Sequence, residues 1–114
     1  MISQKQVKSL HLRKYRSLNN QFIVEGSRSI SSAIDAKARI DSVFYTLDFS
    51  KKNPTILEKL NKIPSEIVSS KEIRKLSPST NPSGILATCK MPKFESFNKN
   101  SVFYAVILST LFLY

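Results

Sequence analysis

Four short runs rich in β-branched and aromatic residues punctuate this chain: Phe22-Ile23-Val24, IDSVFYTL from Ile40 to Leu47, Glu66 to Ser69, and ILATCK from Ile85 to Lys90. Each has the length and residue types of a strand. The stretches between them carry helix signals. Ser27 is of the N-cap type, and a helix over 28–38 places Ile30 and Ile34 one turn apart, facing a core. Pro54 to Asn61 reads as a helix with proline in the first turn, where its missing N–H is not needed. Ser70 opens a short helix over KEIRKL, and the turn-rich SPSTNPSG leads into the last strand. Strands alternating with helices restrict the fold to an α/β layer, a small and mainly parallel sheet flanked by helices.

The chain has 114 residues, 41% of them hydrophobic, enough for one small domain with a core. Residues 1–92 read as that domain, 93–100 as a polar linker and 101–114 as an apolar tail. The tail, SVFYAVILSTLFLY, is shorter than the ~20 apolar residues that span a bilayer. A membrane role is therefore not expected, whereas self-association through an exposed, β-prone segment is. The start, MISQKQVKSLHLRK, has no contiguous apolar core of the signal-peptide type. The lone Cys89 suits a reducing compartment, and the expected location is the cytoplasm.

Charge is the strongest functional signal. Eighteen Lys and Arg face eight acids, a formal net charge of +10, which favours polyanionic partners. Lys5, Lys8, Arg13, Lys14, Arg16 and Arg28 meet a single acid, Glu25, in the first 28 residues. Such sets neutralise phosphate backbones, and Arg adds planar contacts to phosphates and bases. Tyr15, set among the cations, offers a stacking face to an unpaired base. As one helix over 3–17, the segment turns Val7, Leu10 and Leu18 to one side. Lys5, Arg13 and Arg16, with Lys8 beside them, then face solvent on the other, and only Leu12 departs from the pattern. Glu25 reads as structural, paired with a neighbouring cation.

Catalytic chemistry is hard to find. His11 and Cys89, the only residues of their kinds, lie far apart in sequence, and a nucleophile needs a nearby base. Their readings are a helix-surface histidine and a small core cysteine. No His/Cys/Asp/Glu cluster has metal-ligand spacing, so no metal is expected. Gly26 and Gly84 stand 58 positions apart, which matches neither glycine-rich phosphate loop. The chain does not read as a complete enzyme.

The frame LRKYR, a polar spacer, then FIVEG and SR resembles the N-terminal substrate-binding domain of SpoU-type (TrmH-like) RNA 2′-O-ribose methyltransferases. Leu76-Ser77, Pro82 and Gly84-Ile85-Leu86-Ala87 resemble that family's second motif, with Ser83 where Gln is usual and Pro78 where an acid is common. The resemblance covers about residues 3–92. It implies an α/β domain similar to RNA-binding ribosomal proteins, gripping RNA, with ribosomal RNA expected, for a neighbouring catalytic domain. It carries RNA contact to Arg13, Lys14, Arg16 and Arg28, with Asn81 and Ser83 near the second motif. It also implies that S-adenosylmethionine belongs to a knotted catalytic domain, whose first strand Val102 to Leu108 resembles; the sequence then departs from the family. On this reading the chain is truncated, holds no cofactor and transfers no methyl group by itself. The alternatives are a stand-alone RNA-binding protein and an interaction protein with a membrane-associated tail.

Overall fold

The computed structural model describes residues 2–91. They form α1 (Gln4–Ser9), α2 (Arg13–Asn19), β1 (Gln21–Glu25), α3 (Ser27–Asp35), β2 (Ile40–Thr46), α4 (Leu47–Lys52), α5 (Pro54–Lys59), β3 (Ser65–Val68), α6 (Ser70–Leu76) and β4 (Ile85–Lys90). The expected linker at 93–100 and apolar tail at 101–114 lie outside the described residues.

The strands make a four-stranded sheet in the order β1-β4-β2-β3. The expected α/β layer is present, but the sheet is mixed where a mainly parallel one was expected. Only β2 and β3 pair parallel; β4 lies between β1 and β2 and runs antiparallel to both. The cause is the connection before β4. Helix α6 follows β3 and is separated from β4 by residues 77–84. It ends beside β1, where Ser77 Oγ donates to the Glu25 carboxylate. The chain therefore enters β4 from the carboxyl edge of the other strands.

Both faces of the sheet are covered, which is why its central strands read as continuous apolar runs. Phe22, Val24, Val43, Ile85, Ala87 and Cys89 pack with α3, α4 and α5 through Ile30, Ala33, Phe49, Ile56 and Leu60. Ile23, Phe44 and Leu86, on the opposite face, pack with α1 and α6 through Val7, Leu10, Ile73 and Leu76. Adjacent residues go to opposite layers because side chains alternate along a strand. Ser42 and Thr88 are buried opposite one another and share a 2.8 Å hydroxyl hydrogen bond.

Helix ends follow the residue chemistry with small displacements. Gly26, not Ser27, occupies the N-cap of α3, and Ser27 is its first residue. Ser69 caps α6: its Oγ accepts the Glu72 N–H at 3.0 Å, and the Glu72 carboxylate accepts the Ser69 N–H at 2.9 Å. Helix α4 is absent from the sequence reading. Its signals were present, in Thr46 accepting the Phe49 N–H and Asp48 in the first turn. Among the described residues no helix is long and apolar enough to cross a membrane.

Candidate nucleic-acid interface

The N-terminal basic segment is two helices at a corner, not the single helix over 3–17 that its periodicity suggests. Ser3 caps α1, and the chain breaks at Leu10. Val7 and Leu10 bury against α6, while the His11 ring, through Nε2, sits 2.7 Å from the Leu76 carbonyl oxygen. The Arg16 Nη1 donates to the carbonyls of Leu10 and His11 at 2.9 and 3.0 Å, satisfying groups that the break releases from α1. Arg16 is thus 1% exposed. Its expected place on the solvent face is overturned, and it is a structural residue of the corner. Leu18, expected in the core, is 71% exposed for the same reason: the corner rotates α2 relative to α1.

The remaining cations of the set point outward. Lys5, Lys8, Arg13, Lys14 and Arg28 are exposed, and Tyr15 is half-buried. The Lys14 Nζ lies 5.6 Å from the centre of the Tyr15 ring, so a cation already attends the aromatic face proposed for stacking. Lys5 and Lys8 stand on α1, which packs over α6, whereas Arg28 stands on α3 in the opposite layer. The fold therefore spreads the set over two faces.

Nearby carboxylates are engaged by neutral donors. The Gln4 amide nitrogen donates to Glu66 at 2.6 Å and to Glu72 at 2.8 Å, and Gln21 donates to Asp41 at 2.9 Å. Glu72 is held below the usual carboxylate range, first by the Ser69 backbone N–H and then by Gln4. Glu25 is structural as expected, but its partners are the Ser77 hydroxyl and the Ser83 N–H, not a cation. Lys52 forms a salt bridge with Asp48 at 3.2 Å, both largely exposed.

The carboxyl edge of the sheet gathers residues that are distant in sequence. Gly26 and Gly84, with φ of +91° and +90°, close β1 and open β4 side by side. The Gly26 N–H donates to Ile85, and the Gly84 carbonyl accepts from the Thr46 N–H. Ser83 sits between them, its hydroxyl directed at its own strand through the Ile85 carbonyl at 3.4 Å. Asn81 is exposed in the same 77–84 loop, and its N–H donates to Ser79.

Two open clefts of about 450 and 300 Å³ run along this edge and share Lys52 and Asn53 as a common wall. The larger includes Phe49, Ile73 and Pro82 with Arg74, Ser83 and Asp48; the smaller includes Ser27, Ser31, Thr55 and Lys59. Sequence reasoning gave a binding role to Ser83 alone among these. Lys52, Lys59 and Arg74 each occupy the last turn of a separate helix and converge only in the fold.

The described residues contain no group of three or more His, Cys, Asp or Glu placed to hold a metal. Cys89 is fully buried in β4, and burial, aided by the Asp41 charge, pushes its thiol up to about 12.

Comparison with known proteins places this architecture. A tRNA/rRNA methyltransferase of uncharacterized role from Synechocystis sp. is 28% identical over 92 residues. That alignment covers 79% of this chain and 34% of the relative. The crystal structure of an RNA 2′-O ribose methyltransferase matches with a TM-score of 0.66 at 27% identity, over 79% of this chain and 34% of its own. The SpoU methyltransferase AviRb from Streptomyces viridochromogenes, in complex with AdoMet, shares the fold with a TM-score of 0.65 at 21% identity, over 78% and 32% of the two chains. This chain spans about a third of the length of the relatives it matches. The family described as the MRM3-like substrate binding domain matches residues 3–87, from α1 into β4, and the chain belongs to it.

Proposed function

We propose that this domain binds RNA, ribosomal RNA in the first place, and holds it for 2′-O-ribose methylation by a SpoU-type catalytic domain. The observation that carries the reading is the charge arrangement at the α1–α2 corner. Lys5 and Lys8 project from α1 while the acids beside it, Glu66 and Glu72, are bound by Gln4. The corner is tied down by Arg16 and His11, so its cations are presented on a rigid support. Phosphates are the matching partner, and release of their counterions drives binding.

The division of labour follows. The residues described here bind and orient RNA, and the corner and carboxyl edge supply the contacts. S-adenosylmethionine belongs, on this reading, to the methyltransferase domain, and none of the described residues is assigned to it. The chain by itself transfers no methyl group, and it works in the cytoplasm.

The test is affinity for structured ribosomal RNA across a salt series. A steep decline is expected, and replacing Lys5, Lys8 and Lys14 together with Ala should reduce the log–log slope by roughly one per lysine. A salt-independent affinity overturns the reading. Incubation with labelled S-adenosylmethionine and RNA should give no incorporation; labelling that persists through purification contradicts the division of labour.

A further inference from the structure

We propose that the double cleft at the carboxyl edge of the sheet binds an unpaired RNA segment, separately from the contacts that the α1–α2 corner makes to phosphates. The inference rests on the RNA-binding reading and adds the conformation of the RNA that this edge accepts.

Three features support it. The clefts lie where the parallel-running strands β1, β2 and β3 end, the side on which open α/β sheets take ligands. Their lining is divided in kind. The larger sets Pro82 and exposed Arg74 over a floor formed by the edges of the core residues Phe49 and Ile73, which suits a base and its charged neighbour. The smaller offers hydroxyls of Ser27, Ser31 and Thr55 with Lys59, which suits sugar and phosphate oxygens. Lys52 and Asn53, shared by both, stand where a phosphate linking the two would pass. At about 450 Å³, the larger cleft has the capacity of an ordinary small-ligand pocket, and a base paired within a duplex has no exposed face to place in it.

Asp48 is the internal counterweight. It lines the larger cleft and pairs with Lys52 at 3.2 Å, so an incoming phosphate must compete with it for the lysine. Removing that charge should strengthen binding, an effect that misfolding cannot imitate.

The experiment compares the full chain and two variants, Asp48→Asn and the double Lys59→Ala/Arg74→Ala, on two probes. The probes are a mixed-sequence single-stranded 12-mer RNA and the same 12-mer in a blunt duplex. Asp48→Asn should bind the single strand about two- to five-fold more tightly, with duplex affinity changed less. The double variant should lose about ten-fold on the single strand and little on the duplex. A third variant, Lys5→Ala/Lys8→Ala, should weaken both probes alike. If the cleft variants match the parent on the single strand, or shift both probes equally, the cleft proposal fails while RNA binding stands. If the parent binds neither probe nor structured ribosomal RNA, the underlying reading fails with it.

Discussion

The Glu25 carboxylate, at the end of β1, accepts the Ser77 hydroxyl across 52 residues of chain and also faces the Ser83 N–H at 3.4 Å. One side chain thus fixes both ends of the loop that turns α6 into β4. Within the loop, Ser79 and Asn81 add short-range turns, and the Gly84 carbonyl accepts the Thr46 N–H at 3.0 Å.

Replacing Glu25 with Ala should therefore loosen this edge and cost about 1–2 kcal/mol, while Gln, which keeps an acceptor, should cost less. Thermal melts rank the two, and amide exchange at Ser83 and Gly84 locates the loss. Equal melting of both variants and parent would show that the loop is held by other means.

The glycines at the same edge should resist substitution for different reasons. Gly26 has φ +91° and ψ 153°, a region essentially closed to other residues, although its added Cβ would find ordinary space near Ser83. Gly84 combines φ +90° with a Cβ site only 3.2 Å from the Phe49 Cβ. Gly26→Ala should cost about 1–3 kcal/mol and Gly84→Ala more, because backbone strain and a clash with a packed ring add. Denaturant midpoints of the two variants test the order.

Arg16 separates structure from function within the basic segment. Arg16→Ala should lower stability by about 2–4 kcal/mol, since it leaves two carbonyls without their donor and a gap where a long side chain was packed. Lys8→Ala, on the exposed face of α1, should change stability by no more than about 0.5 kcal/mol. A melt of Arg16→Ala indistinguishable from that of Lys8→Ala would return Arg16 to the surface.

Cys89 should be inert to thiol reagents in the folded protein. Burial raises its thiol from an ordinary value of 9.0 to about 12, so the reactive thiolate is disfavoured as well as covered. The linkage has a definite sign. With the folded value above the unfolded one, the neutral thiol's contribution is fully present below about pH 9 and is lost as pH rises toward 12. Labelling by a disulfide reagent at pH 8 should follow the unfolding rate. Prompt stoichiometric labelling of native protein would show an accessible thiol.

Local sequence marked the strands, because each is a short run rich in β-branched and aromatic residues between helix or turn signals. It also determined the family resemblance, carried by FIVEG at the end of β1 and the Pro82 to Ala87 stretch entering β4, and the basic character of the first 28 residues. Tertiary packing set strand direction, since the Glu25–Ser77 contact holds the end of α6 beside β1 and β4 enters from the carboxyl edge. It alone split the first helix: no glycine or proline marks the break at Leu10, and the contacts that hold it come from Leu76 and Arg16. For the same reason Arg16, which reads as one more surface cation, is buried. The meeting of Lys52, Lys59 and Arg74 along two adjoining clefts has no local signature either. Periodicity records which face of an element is apolar. Which elements then meet, and which charges they bring together, is set by packing between residues that the sequence keeps far apart.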